Sequence, residues 1–350
     1  MAEINRKLLE DVHKAAALPL PWERLDHKRV LISGASGMIG SFLIHVLMER
    51  KEDIEIIALG RSEEKAKASL GRYWDEKCFQ FLSHDINAPL DNMGRIDFII
   101  HAASNTHPKA YASDPIGTVT TNVLGSINLL EYAARNGVER FLFASSVEIY
   151  GENRGDQEYF DESYCGYIDC NTVRAGYPES KRTGEALCQA YHAKYGMDVV
   201  IARLARTYGP TMLKEDSKAI AQFIKNGLRK EDIVLKSEGS QLYSYTYVAD
   251  AVSGLLTVLL KGECGQAYNI ADSRSDLTLR ALAGLIAEAA GKRVIFQLPD
   301  KQEAAGYSKA TKAVLNGEKL RKLGWSAQWD IGGGIKRTLE ILDDERNAEG

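Results

Sequence analysis

The chain has 350 residues, 45% of them hydrophobic and 26% charged, with a formal net charge of -4 and a sequence pI near 6.0. A length of this order usually divides the core between two lobes. A mildly acidic balance without a lysine or arginine run offers no general surface to nucleic acid or to an anionic membrane, which leaves small-molecule chemistry.

Residues 3–17 pattern as an amphipathic helix, with Ile4, Leu8, Leu9 and Val12 on one side, ahead of the connector Leu18-Pro-Leu-Pro21. Residues 1–28 therefore read as a helical extension of unassigned role, and Glu3, Arg6, Lys7, Glu10 and Asp11 interrupt any apolar run that a secretion signal needs. Residues 30–48 carry no Lys, Arg, Asp or Glu, nearly the length of a membrane helix, but Gly34, Gly37, Gly40, three serines and His45 fit a strand, a tight turn and a helix better. Strands are predicted over 30–33, 54–59, 98–101, 141–145 and 199–202, with helices near 38–50, 118–136 and 178–195. Such alternation means a parallel sheet, so residues 29–205 are expected to form a Rossmann-type doubly wound α/β domain, with 245–265 packing back on it.

After Pro210 the pattern turns irregular. Helices are predicted near 216–229, 248–260, 278–291 and 317–322, and short strands near 233–235 and 267–270, so 206–244 and 266–350 are assigned to a smaller mixed α/β substrate-binding lobe. A cleft between the lobes falls at the carboxyl ends of the parallel strands, with the acidic stretch 151–176 looping over its rim. The five cysteines, Cys78, Cys165, Cys170, Cys188 and Cys264, form no CxxC pair and are odd in number. They read as reduced thiols of a cytoplasmic protein, and Cys165 and Cys170 lack partners at zinc spacing, so no metal site is predicted.

Gly34-Ala-Ser36-Gly37-Met38-Ile39-Gly40 follows a strand and opens a helix, the context in which a glycine-rich turn brings a dinucleotide pyrophosphate to a helix N-terminus. The second strand usually ends in an acidic residue that holds the adenosine ribose; here Gly60-Arg61-Ser62 follows. Arg61 and Ser62 suit a 2'-phosphate, leaning towards NADP with NAD still open, and a solvated loop arginine is the alternative. Asp85 and Ile86 end another apolar run and are candidates for the adenine edge, against an ordinary aspartate turn.

Tyr177 and Lys181 are four apart in Gly176-Tyr-Pro-Glu-Ser-Lys181 and share one helix face, with Pro178 suited to the first turn. A free phenol titrates near pH ~10, so making it a base at neutrality needs about 4 kcal/mol of differential stabilisation, and a neighbouring ammonium is the natural source. Ser146 supplies a hydroxyl upstream.

Together Gly34xxGly37xxGly40, His101-Ala102-Ala103-Ser104, Asn122, Ser146, Tyr177 and Lys181 make the chain resemble the extended short-chain dehydrogenase/reductase superfamily over residues 29–260. Within it, Ser145-Ser-Val-Glu-Ile-Tyr-Gly151, Tyr177-Pro-Glu-Ser-Lys-Arg182 and Arg203-Leu-Ala-Arg-Thr-Tyr-Gly-Pro210 resemble nucleotide-sugar enzymes, most of all the UDP-glucuronate decarboxylase branch. The resemblance implies a tightly bound NAD(P)+ that oxidises a sugar hydroxyl, usually at C4, and takes the hydride back after a second step. Tyr177 would be the base, Lys181 would lower its pKa and hold the nicotinamide ribose, and Ser146 would hydrogen-bond the reacting oxygen. Ala102, Ala103, Ser104 and Asn122 would line the cofactor. Glu148 matches a glutamate that assists the second step, while Val147 stands where 4,6-dehydratases carry aspartate. Ser104, Arg206, Thr207 and Tyr243 fall at substrate positions, with Arg206 in place of an asparagine and Tyr243 in place of an arginine. An epimerase is placed first, then a decarboxylase or dehydratase, then a net-turnover reductase, and last a non-catalytic dinucleotide sensor. The helices near 118–136 and 178–195 resemble those that pair in homodimers of the superfamily.

Overall fold

The computed structural model describes residues 4–106, 108–297 and 311–349. Six strands run in the order expected of a doubly wound sheet, and a seventh extends its edge. They are β1 (Lys28–Ser33), β2 (Ile54–Gly60), β3 (Phe79–Ser83), β4 (Phe98–His101), β5 (Arg140–Ser146), β6 (Val199–Leu204) and, later in the chain, β10 (Ala267–Ile270). All pairs are parallel, in the order β3-β2-β1-β4-β5-β6-β10. Strands buried on both faces must be apolar throughout, and the cores of β1, β4 and β5 are.

The order reverses between β1 and β4. A crevice therefore opens at the carboxyl ends of these strands, where the chain leaves Ser33 and His101. The two are coupled across it: Ser33 Oγ lies 2.8 Å from His101 Nδ1, and His101 Nε2 lies 3.2 Å from Ser126 Oγ. Burial pushes the His101 imidazole down to about 3, so it stays neutral.

The helices among the described residues are α1 (Arg6–Ala16), α2 (Met38–Met48), α3 (Glu63–Leu70), α4 (Pro108–Ser113), α5 (Pro115–Asn136), α6 (Gly176–Tyr195), α7 (Ala219–Leu228), α8 (Val248–Lys261), α9 (Leu279–Ala290), α10 (Glu318–Arg321) and α11 (Ile331–Glu349). Helices α5 and α6 pack side by side on one face, while α2 and α8 pack on the other. The predicted strands and helices of the first two hundred residues all form, with α3 and β3 added between them.

Residues 267–270, expected in the smaller lobe, instead close the edge of the large sheet. Helix α8 returns the chain parallel to β6, whose outer edge would otherwise be unpaired. The smaller sheets are β11 (Asp276–Thr278), β9 (Leu242–Tyr247) and β13 (Lys312–Ala313), with β7 (Arg206–Tyr208) pairing β9, and a two-stranded pair of β8 (Ile233–Leu235) and β12 (Val294–Phe296). Helix α1 lies against α2, α8 and α11. Its buried Asp11 accepts from Tyr247 Oη at 2.7 Å and pairs with Arg337 of α11 at 3.0 Å.

The stretch 151–176 is tied down at both ends of its arc. Glu152 bridges Tyr167, Phe160 bridges Leu315, and the Phe160 ring stacks on Tyr164 at 4.6 Å. No helix among the described residues is long and apolar enough to cross a membrane.

Candidate active site

The turn after β1 is built on glycines for steric reasons. Gly34 takes φ +76°, and a Cβ there would stand 2.8 Å from the amide nitrogen of Ala103 and 2.9 Å from the Ala102 carbonyl. A Cβ on Gly40 would stand 2.2 Å from the Gly34 carbonyl oxygen, so glycine is what lets α2 begin against the turn. Gly37 is the N-cap of α2 without a side-chain cap bond. The first amides of the helix, those of Met38 and Ile39 among them, thus lack a side-chain partner at the positive end of the helix dipole, a ready seat for phosphate. Ser36 sits near the end of β2, its Oγ 3.8 Å from where a Gly60 Cβ would be. The turn, the bare helix start and its place at the reversal of strand order all fit a dinucleotide pyrophosphate.

Past β2, Arg61 is exposed, and Ser62 caps α3 by accepting from the Lys65 amide at 3.2 Å. Asp85 is exposed and its Oδ1 accepts from the Asn87 amide at 3.0 Å. Ile86 is buried against Gly125 of α5, and its carbonyl accepts from Asn128 at 2.7 Å. Past β4, Ala102, Ala103 and Ser104 are half-buried. Ser104 Oγ donates to Asn122 Oδ1 at 2.7 Å, Asn122 Nδ2 donates to Ser180 Oγ at 2.8 Å, and Ser180 Oγ donates to the Tyr177 carbonyl at 2.8 Å. Asn122 thus ties the loop after β4 to the first turn of α6.

Helix α6 opens with Gly176 and carries Tyr177 and Lys181 one turn apart, both buried. Lys181 Nζ donates to the Ala144 carbonyl of β5 at 2.8 Å and lies 4.9 Å from the Phe143 ring centroid. Burial pushes this ammonium down to about 8. Ser146, which ends β5, and Tyr111 of α4 stand beside the Tyr177 hydroxyl and favour its ionised form. The Ser146 oxygen also accepts from the Glu148 amide at 3.2 Å.

The sequence led us to expect a phenol depressed by Lys181. The protein groups do the reverse: burial pushes Tyr177 up to about 12, Glu148 pushes it the same way, and Ser146, Arg174 and Tyr111 pull it down. Desolvation of the buried phenol outweighs the groups that favour its ionised form.

Two site residues have no motif to announce them. Tyr111 stacks on Tyr177 with ring centroids 4.8 Å apart and an interplanar angle of 30°. Arg174, three residues before Tyr177, donates from Nη2 to both oxygens of Glu148 at 2.7 and 2.6 Å and lies 4.7 Å over the Tyr111 ring. An arginine so near the tyrosine of the motif was the one available signal. For Tyr111 there was none.

Ser104 apart, the predicted substrate residues fall on β7 and β9, which pair in parallel with Arg206 opposite Tyr245. The Arg206 guanidinium lies 3.7 Å over the ring of Tyr243. Its buried Nε has no hydrogen-bond partner, nor does the buried hydroxyl of Tyr245. The Thr207 hydroxyl turns back to the Ala205 carbonyl at 3.1 Å. Arg206 acts electrostatically on both Tyr245 and Tyr111.

The sequence profile of the NAD dependent epimerase/dehydratase family matches residues 30–271. The chain belongs to that family. It is 34% identical over 301 residues to UDP-glucuronic acid decarboxylase 3 of Arabidopsis thaliana, covering 84% of this chain and 85% of the relative. Among solved structures it superposes with a TM-score of 0.78 on the dTDP-glucose 4,6-dehydratase DesIV of Streptomyces venezuelae, crystallised with NAD and TYD, at 27% identity over 91% of this chain and 98% of that one. UDP-glucuronic acid 4-epimerase of Bacillus cereus, in complex with UDP-glucuronic acid and NAD, shares the fold at 20% identity and a TM-score of 0.77, over 91% of this chain and 99% of that one. As a member of the epimerase/dehydratase family, the chain places its glycine turn and its Ser-Tyr-Lys cluster at the same end of one parallel sheet.

Proposed function

We propose that the chain holds an NAD(P)+ in the turn from Gly34 to Gly40 and uses it to oxidise a nucleotide-sugar hydroxyl, at C4, and then reduce the modified sugar in the same site. The observation that carries this reading is the buried Tyr177 beside Ser146, with Lys181 one turn on, at the end of the sheet where the glycine turn lies. Bound in its oxidised form, the dinucleotide would supply the hydride acceptor. Tyr177 would take the proton of the sugar hydroxyl, Ser146 would hold its oxygen, and Lys181, fixed to Ala144, would hold the nicotinamide ribose.

Of the possible second steps, the likeness to the Arabidopsis decarboxylase supports loss of carbon dioxide from a nucleotide uronic acid, with epimerisation as the second reading. A 4-keto uronate needs no protein acid to lose carbon dioxide, in keeping with Val147 and with a Glu148 engaged by Arg174. Incubation with UDP-, CDP-, GDP- and dTDP-sugars, neutral and acidic, followed by mass spectrometry, separates loss of carbon dioxide, loss of water and unchanged mass. No turnover of any of them refutes the proposal.

Three finer points rest on single features. Exposed Arg61, with no carboxylate at Gly60, supports NADP over NAD, which paired affinity titrations decide. Helix α5, packed against α6, exposes Ile116, Val119 and Leu124, which supports a homodimer that light scattering would detect. Five free thiols support a cytoplasmic setting.

A further inference from the structure

Arg174 is held by its neighbours in an incomplete way. One nitrogen, Nη2, spans both Glu148 oxygens at 2.7 and 2.6 Å, and the planar group rests 4.7 Å over Tyr111. Nε is buried and has no acceptor. A buried guanidinium N–H without a partner costs the full desolvation of a charged donor, and such atoms in native proteins call for an explanation. Nε belongs to the same rigid plane as Nη2, so the bond to Glu148 fixes where it points. Tyr111, beneath that plane, stacks on Tyr177. The group that carries the unpaired donor is therefore anchored one aromatic ring away from Tyr177.

We propose that Arg174 is a substrate-binding residue that holds Glu148 through Nη2 and gives its Nε–H to an acceptor oxygen of the sugar. This deepens the function proposed above and rests on it. The two halves of the role are separable. The charge of Arg174 offsets that of Glu148, while its shape presents Nε.

The groups facing Tyr177 are Ser146 and Glu148 from the end of β5, Arg174 from the turn before α6 and Tyr111 from α4, with Lys181 on its own helix and Arg206 reaching Tyr111 from β7. Glu148 raises the phenol and Arg174 lowers it. Removing the arginine alone must move the ionisation that activity requires to higher pH, and removing both must largely restore it.

The test uses the full chain with its dinucleotide and a sugar nucleotide that the wild type turns over. Arg174→Met is expected to raise KM about tenfold or more, the worth of a lost charged hydrogen bond, and to shift the acidic limb of the kcat profile upward. Arg174→Lys keeps the charge but lacks Nε, so KM should rise with the limb in place, and this milder variant carries the test if the methionine variant does not fold. In Arg174→Met/Glu148→Gln the limb should return while KM stays high. A KM within about twofold of wild type in both single variants, or a KM restored in the double variant, overturns the inference. A wild type that turns over no sugar nucleotide refutes the proposed function instead.

Discussion

The guanidinium of Arg206 lies 3.7 Å from the ring centroid of Tyr243, one on β7 and the other on the neighbouring β9. The chain resembles enzymes with asparagine at the first position and arginine at the second, and here the cation of the pair stands on β7, over the tyrosine of β9. A desolvated guanidinium on a tyrosine face is held by about 0.5–2 kcal/mol and keeps its donors for a ligand.

Arg206→Asn is accordingly expected to raise KM for the sugar nucleotide about tenfold, the scale of one charge-assisted hydrogen bond. Adding Tyr243→Arg should recover most of the loss, because it puts the cation back on β9. Steady-state kinetics of the two variants decide; a double variant as poor as the single one would show that the two positions do not exchange a role.

Gly40→Ala tests the dinucleotide turn. The new methyl would stand 2.2 Å from a backbone carbonyl that has no room to retreat, since Gly34 itself abuts Ala102 and Ala103. Overpacking of this kind costs about 1–3 kcal/mol, and displacing the turn should weaken dinucleotide binding about tenfold or more by fluorescence titration. Unchanged affinity in a folded variant would place the cofactor elsewhere.

Acid should destabilise the fold through two buried histidines. Burial holds His45 at about 4 and His101 at about 3, against about 6.5 in the unfolded chain. Both folded values are depressed, so the unfolded chain gains protons first, and the stability present above about pH 6.5 is lost as pH falls towards the folded values. Each imidazole can contribute up to about 1.4 kcal/mol per pH unit in that window. Urea midpoints measured between neutral pH and pH about 4 should fall, and fall less steeply in His101→Gln; parallel profiles would show that His101 does not contribute.

Helix α1 is locked by a buried charge. Asp11 is fully buried, with Arg337 and the Tyr247 hydroxyl as partners. Arg337→Met leaves that carboxylate without its cation and should cost about 3–5 kcal/mol in chemical denaturation, and Asp11→Asn added to it should return much of the loss. A cost below about 1 kcal/mol would make residues 1–28 a loosely attached extension.

Long periodic segments were legible because their burial is regular. Residues 30–48 announced strand, turn and helix by the absence of charge and the spacing of three glycines. Arg206 and Tyr243 stood out as departures from a motif, and the structure stacks one on the other. What stayed hidden depends on distant partners. Helix α11 starts with Gly332-Gly333-Gly334, a poor helix signal, yet a Cβ at Gly334 would strike the Tyr208 hydroxyl at 2.1 Å, so the glycine is there for packing. Strand β10 reads like any short apolar run until β6 offers it an edge. Tyr111 stacks on Tyr177 and Arg174 pairs with Glu148, contacts that only the folded chain makes. The upward push on Tyr177 was equally unreadable, because spacing showed Lys181 while burial is a property of the fold.

The central claim is that Tyr177 moves the proton of a sugar hydroxyl while a bound dinucleotide accepts and returns the hydride. Tyr177→Phe, loaded with dinucleotide and mixed with a sugar nucleotide, measures it most directly, with product followed by mass spectrometry and reduced nicotinamide by absorbance. Turnover should drop about 100- to 10,000-fold with dinucleotide still bound, while the wild type forms product without net reduction of cofactor. A phenylalanine variant within about threefold of wild type, or a wild type that consumes added dinucleotide mole for mole, would contradict the account.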